Sequence, residues 1–225
     1  MTEIIKFLEI VGTVAFSVSG ALIAIGAGLD LFGVVFVGCI TAFGGGMIRD
    51  ILLGITPPLI FSNYIIFLIA VISSLIVFTS ASLNKEKFNL LRSKIESINN
   101  YFDAVGLAAF SVTGAEMGFS QGYSDNVMLI VVLGMITGVG GGIIRDIIID
   151  TTPYVFKKHV YALASIFGSF LYFFLRRFSI SVSLTSVFAM SSVIIIRVLA
   201  TKYRWSLPKI TIALQKEKNE KRQVL

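Results

Sequence analysis

The sequence has one cysteine, Cys39, and one histidine, His159, so it can build neither an internal disulfide nor the usual cysteine–histidine metal site. Charge is scarce too. Asp, Glu, Lys and Arg make up 14% of the 225 residues, where a soluble domain carries about 25%. With 56% of the residues apolar, too little polar surface remains to clothe a water-soluble domain. No phosphate-cradling loop, nucleophile–base pair or pair of catalytic carboxylates can be assembled, which argues against an enzyme and against a bound cofactor or metal. His159 follows Lys157 and Lys158 at a helix entrance and reads as a solvated interfacial residue.

What the chain does have is long uncharged stretches separated by short charged clusters. Each stretch is near the roughly 20 residues that a membrane-crossing helix needs. The expected fold is therefore an all-α integral membrane protein. Seven spans are expected: Ile4–Leu29, Leu31–Leu53, Leu59–Leu83, Tyr101–Gly122, Asn126–Ile149, Val160–Leu175 and Phe178–Leu199. The first is too long for a signal-peptide core and reads as retained. Residues 84–100 read as a solvated loop of mixed charge with some helical character, and residues 205–225 as a polar, basic tail. The formal charge of +6 sits mostly beside apolar segments, so the partner it implies is the lipid bilayer and not nucleic acid. An odd number of spans puts the termini on opposite sides. One side gathers Lys85, Lys87, Arg92, Lys94, Lys157, Lys158 and the tail, against Lys6, Arg176 and Arg177 on the other. The positive-inside rule places the C-terminus in the cytoplasm and the N-terminus outside a plasma membrane.

Three blocks of sequence occur twice, in the same order. Ala15-Phe16-Ser17-Val18-Ser19-Gly20-Ala21 returns as Ala109-Phe110-Ser111-Val112-Thr113-Gly114-Ala115, with Glu9 and Gly12 matched by Asp103 and Gly106. Thr41-x-x-Gly44-Gly45-Gly46-x-Ile48-Arg49-Asp50 returns as Thr137-x-x-Gly140-Gly141-Gly142-x-Ile144-Arg145-Asp146, and Thr56-Pro57 as Thr152-Pro153. A unit with an odd number of spans must enter the membrane from opposite sides in its two copies. Residues 1–83 and 101–175 are thus expected to be inverted three-helix repeats, with residues 176–204 forming a seventh helix outside the duplication.

Glycine triplets at mid-span remove side chains and weaken the helix by about 1 kcal/mol per residue. Such backbone at membrane depth is tolerated where it is buried in protein or lines a watery cavity. Gly44, Gly45, Gly46, Gly140, Gly141 and Gly142, with Thr41 and Thr137, therefore mark either a kinked, pore-lining stretch or a close helix contact. The hydroxyls of Ser17, Ser19, Ser111 and Thr113 either edge the same polar path or bond their own helix backbone. Arg49 and Arg145 each cost about 2.5–3.5 kcal/mol at mid-span unless paired or wetted. Adjacent residues point about 100° apart on a helix, so Asp50 and Asp146 are not obligatory partners. Glu116 has no acidic counterpart, since Leu22 holds the equivalent place. By depth, Glu116 is the expected partner of Arg49, with Arg145 nearer Asp30 or Asp150.

Taken together, these residues resemble the prokaryotic members of the trimeric intracellular cation channel family. The resemblance runs from Ile4 to about Arg204 and rests on the doubled Gly-Gly-Gly-x-x-Arg-Asp motif, the spans and the outside N-terminus. It implies a homotrimer with an ion path in each protomer, lined by the first two helices of each repeat, and potassium as the permeant ion. Animal members carry a Lys-Glu-Val motif where this chain has Gly-Gly-Ile-Ile-Arg-Asp, so their regulation by lipid phosphates or voltage is not carried over. The alternative implied by the bacterial relatives is transport of a small amino acid such as glycine.

Overall fold

The computed structural model describes residues 2–90, 92–157 and 160–205; Lys158, His159 and the tail beyond Trp205 lie outside them. The described residues form helices and no strand. In order these are α1 (Glu3–Gly26), α2 (Leu31–Leu52), α3 (Tyr64–Leu83), α4 (Lys85–Leu90), α5 (Arg92–Ser120), α6 (Val127–Ile148), α7 (Tyr154–Lys157), α8 (Tyr161–Arg177) and α9 (Val182–Lys202). Five of them, α1, α2, α3, α6 and α9, are long and apolar enough to cross a membrane. The other long ones are α5, with 29 residues, and α8, with 17.

Polar turn residues set the helix starts. The side chains of Asp30, Asn63, Asn126 and Ser181 each accept the backbone N–H three residues on, which satisfies one of the free donors at a helix N-terminus. Several expected boundaries shift: the last helix begins at Val182 and not at Phe178, and Arg176 and Arg177 end α8. The third span begins at Tyr64 and not at Leu59, because Pro57-Pro58 lead into a separate 3-10 turn, Leu59–Ser62, before Asn63 caps the helix. The stretch 84–100, expected as a loop, is α4 followed by the first two turns of α5, which continues unbroken into its apolar part.

Four helices build the centre. Helix α1 crosses α5, and α2 crosses α6. The contacts at both crossings are reciprocal: Gly12 faces the ring of Phe110 while Gly106 faces that of Phe16, and Gly45 faces the Thr137 carbonyl while Gly141 faces that of Thr41. In each pair, residue number falls on one helix as it rises on the other, so both crossings are antiparallel. The same correspondence extends outward. Gly20 and Gly114 rest on the hydroxyls of Thr41 and Thr137, and Gly38 and Gly134 on those of Ser74 and Ser169. Helices α3 and α8 thus flank α1–α2 and α5–α6 in matching places. Even the helix ends agree. Gly54 and Asp150 both adopt left-handed backbone, with φ of +70° and +55°, and the next N–H bonds back to the carbonyl of Asp50 or Asp146. Helix α9 has no such counterpart and packs on α5 and α8.

The outer faces are strongly apolar. Phe32, Phe61 and Leu83 are each more than 70% exposed, and a stack of Phe170, Phe174 and Phe178 runs down α8. Such surfaces match hydrocarbon chains and would be out of place in water.

Candidate functional site

Helices α2 and α6 remain helical through their glycine triplets, so neither triplet breaks its helix. The triplets are the place where the two helices touch backbone to backbone. Gly45 and Gly141 sit on the carbonyls of Thr41 and Thr137 in the crossed pattern above, and a Cβ on Gly140 would lie 3.0 Å from the Cα of Gly45. The third glycine of each triplet is different. A Cβ on Gly46 or Gly142 would meet nothing nearer than 3.6 or 3.7 Å, and the neighbour in each case includes the guanidinium one turn on. The triplets therefore do two jobs: two residues make the crossing, and the last leaves room for the arginine.

Each arginine is held by the aspartate beside it. Arg49 donates from Nε and Nη2 to Asp50 Oδ1 at 2.9 and 2.7 Å, and Arg145 donates from Nε to Asp146 Oδ1 at 2.8 Å. The Cβ directions diverge, but the long arginine side chain curls back to its neighbour in both copies. The second carboxylate oxygen has a backbone task. Asp50 Oδ2 accepts the N–H of Leu59 at 2.9 Å, and Asp146 Oδ2 accepts that of Tyr154 at 2.7 Å. Both donors lie just past the repeated Thr-Pro step, so each Arg-Asp unit ties the return segment onto its helix end. All four side chains are at most 6% exposed.

Beyond this shared design the two halves differ. Around Arg49 a cavity of about 330 Å³ is lined by Glu9, Thr13, Gly46, Arg49, Asp50 and Thr137, among others. Glu9 is half-buried at its edge and forms no ion pair with Arg49. Around Arg145 the equivalent space is filled by polar contacts. Asp103, the counterpart of Glu9, accepts from Arg145 Nη1 at 3.2 Å, and Ser19 Oγ accepts from the same nitrogen at 3.2 Å. Ser19 in turn donates to Asn99 Oδ1 at 2.8 Å. Arg197 of α9 then lies over the ring of Tyr161, 4.6 Å from its centroid, with Nη2 3.9 Å from Asp103 Oδ2.

The expected partners of the arginines are thus corrected. Arg145 pairs with Asp146 and Asp103, not with Asp30 or Asp150. Glu116 does not reach Arg49. It accepts from Tyr172 Oη at 2.6 Å and lies 3.6 Å from Arg176 Nε, both on α8. The reason is helical phase. At 100° per residue, Glu116 stands about 140° around α5 from Asp103, which faces the centre. Arg49→Gln and Glu116→Gln should accordingly be additive in thermal melting, within about 0.5 kcal/mol; coupling well above that would put the two charges in one network. Among the hydroxyls, Ser17, Ser111, Thr41 and Thr137 donate to the carbonyl four residues back, at 2.6–2.7 Å, and Thr113 to that of Phe110 at 3.4 Å. Asp103 and Arg197 complete the site and were not singled out by sequence. The match of Asp103 to Glu9 was the available signal for the first. Arg197, an isolated charge in an apolar run, was the signal for the second.

This arrangement has known relatives. The glycine-transporter family model matches the chain twice, over residues 6–82 and 100–177. The UPF0126 membrane protein YvgT of Bacillus subtilis is 34% identical over 93% of this chain and 98% of its own length. A prokaryotic TRIC channel crystallised in 0.5 M KCl superposes with a TM-score of 0.81 at 35% identity, covering 92% of this chain and all of that one. The TRIC trimeric intracellular cation channel orthologue of Rhodobacter sphaeroides gives a TM-score of 0.80 at 26% identity, covering 91% of this chain and 100% of its own.

Proposed function

The chain belongs to the membrane-protein family that joins the UPF0126 proteins to the prokaryotic TRIC channels, and on that footing we propose that it is a monovalent-cation channel with potassium as its permeant ion. The working unit is a homotrimer, each protomer holding its own path. Seven spans carry it: α1, α2, α3, α5, α6, α8 and α9. The first three and the next three are inverted repeats, and the reciprocal antiparallel crossings support this reading. The N-terminus lies outside the cell membrane and the C-terminus in the cytoplasm, as the distribution of basic residues favours.

One observation carries the proposal. A cavity lined by Glu9, Thr13, Gly46, Arg49, Asp50 and Thr137 among apolar neighbours runs from the Asp50 end of α2 to the α2–α6 crossing. The carboxylates of Glu9 and Asp50 bring oxygen atoms to an otherwise largely apolar lining, and oxygen ligands are what a partly dehydrated cation needs in place of its water. A path so placed passes between the Arg-Asp units, which hold the return segments rigid on either side.

The name of the matching family model favours a second reading, a glycine carrier, and the cavity does hold both a carboxylate and a guanidinium. Flux from proteoliposomes decides between them. A channel should pass potassium at a rate that keeps rising with its gradient, with sodium less and chloride least, and should ignore glycine. Saturable glycine uptake without passive potassium flux would overturn the proposal.

A further inference from the structure

We propose that the inner mouth of the path lies between α1 and α5, and that the hydrogen bond from Ser19 to Asn99 is the bar across it. Helices α1 and α5 cross antiparallel, and each end of the crossing carries a cavity. At one end is the cavity beside Arg49, where Glu9 and Thr13 of α1 meet Met117 of α5. At the other end a cavity of about 410 Å³ is lined by Leu22, Ile23 and Gly26 of α1, Phe88 of α4, and Glu96 and Asn99 of α5. By the proposed orientation the first faces outside and the second the cytoplasm. Ile23 is the repeat counterpart of Met117, so the two cavities hold like places in the two halves. They differ in depth. The outer cavity reaches its arginine and the third glycine, Gly46. The inner one stops at Asn99, one turn before Asp103, and Ser19, Asp103, Gly142 and Arg145 behind it are buried. Another cavity on this side lies between α5 and α9, outside the crossing. Its lining carries Arg197 and Lys202, which repel a cation, whereas Glu96 at the α1–α5 cavity attracts one.

The bar is local, and the other half has nothing like it. Ser19 Oγ donates to Asn99 Oδ1 at 2.8 Å and accepts from Arg145 Nη1 at 3.2 Å, so one hydroxyl ties α1 to α5 and to the inner arginine. Its counterpart, Thr113, turns to the carbonyl of Phe110 on its own helix, and the counterpart of Asn99 is the apolar Ile5. The same bond cannot form at the outer end, and there the cavity runs on to Arg49. The bar therefore sits within the repeats, at a point where their sequences diverge. A neutral hydrogen bond contributes far less than a buried ion pair loses on breaking, so it is the element here that opens most readily. When it breaks, Ser19 turns back to its own helix, as Thr113 does, and Asn99 turns into the inner cavity. Arg145 keeps Asp103 and Asp146 throughout. The ion-pair frame stays whole while the polar face of α1 beside Gly142 joins the inner cavity.

The bar rests on the proposed channel activity, so its test carries a readout independent of conduction. In a Cys39→Ser background, Gly46→Cys, Ile23→Cys and Gly142→Cys place single thiols in the outer cavity, in the inner cavity and behind the bar. Membrane-impermeant maleimide should label Gly46→Cys from one side of the bilayer and Ile23→Cys from the other, with Gly142→Cys slow from both. Ser19→Ala and Asn99→Ala should each speed labelling of Gly142→Cys from the Ile23 side, and raise potassium flux, by about fivefold, the shift expected when one net hydrogen bond is lost. The double variant should be no faster than either single one, because both remove the same bond. Ile23→Trp should slow labelling and flux, and Thr201→Trp, in the α5–α9 cavity, should leave both unchanged. Should Asn99→Ala fail to fold, Ser19→Ala, which removes one oxygen, carries the same expectation. Unchanged labelling of Gly142→Cys in a folded Ser19→Ala protein would overturn the bar, and a block by Thr201→Trp but not by Ile23→Trp would overturn the mouth. Faster labelling without potassium flux in any variant would uphold the bar and remove the channel.

Discussion

Gly45→Ala and Gly141→Ala should each abolish accumulation of folded protein in the membrane, whereas Gly46→Ala and Gly142→Ala should leave it near the wild-type level. A Cβ on Gly45 would be forced into the carbonyl of Thr137, and one on Gly141 into the carbonyl of Thr41. These neighbours are backbone of the opposing helix and have no rotamer by which to yield. The α2–α6 crossing would have to open by an ångström or more. The same two helices hold the cavity wall and both Arg-Asp units, so the shift would spread through the centre. Ordinary overpacking costs about 1–3 kcal/mol; here the cost should exceed that range, because no side chain can relax to absorb it. In the third position of each triplet the nearest groups are the ends of flexible side chains, at 3.6 Å or more. Size-exclusion profiles of fluorescently tagged variants in mild detergent would read the contrast. Normal profiles for Gly45→Ala and Gly141→Ala would mean that the crossing is looser than its geometry implies.

That contrast also shows where sequence reasoning reached and where it stopped. The apolar stretches gave the helix-only fold, and the duplicated blocks anticipated which residues meet across the centre, since matched blocks in an antiparallel crossing must touch reciprocally. The pair Gly12–Phe110 and Gly106–Phe16 is that rule made visible. The triplets themselves remained ambiguous between pore lining and close packing. Two of the three residues answer to packing and one to open space, a division set by helical phase against a partner whose crossing angle no single sequence specifies.

The arginine partners were harder to read for a different reason. The rise per residue puts Glu116 and Arg49 in the same half of the membrane. Depth says nothing of which way a helix face points, and α5 turns Glu116 toward Tyr172 and Arg176. The angle between neighbouring Cβ atoms leaves the adjacent aspartate optional as a partner, yet an arginine is long enough to fold back across it. The Thr-Pro repeat did carry the missing information. A proline at a fixed distance after each aspartate marks a return segment whose first N–H needs an acceptor, and Oδ2 supplies it.

Arg145→Met should destabilise the protein by about 3–5 kcal/mol, and Arg49→Met by clearly less. Both arginines sit in the same motif, so the difference must come from what surrounds them. Arg145 has two carboxylates and a hydroxyl within 3.2 Å, all buried. Its removal leaves Asp103 and Asp146 facing each other in a dry centre, with Arg197 alone to balance them, and Nη2 of Arg197 is already 3.9 Å from Asp103. Two unpaired carboxylates in low dielectric repel each other and lose their hydration together. Arg49 has a single carboxylate, Asp50, and the cavity opens beside it. Without the arginine, Asp50 keeps the Leu59 N–H on Oδ2 and gains access to water from the cavity. The remaining charge there is cheaper to solvate, and Arg49→Met should act on the path more than on the fold. Neutralising Asp103 separates the terms: Arg145→Met with Asp103→Asn should be more stable than Arg145→Met alone, because one of the stranded charges has gone. Thermal melting of the three variants in detergent would measure this. Equal losses for Arg49→Met and Arg145→Met, with no recovery in the double variant, would show that Asp103 does not sense Arg145.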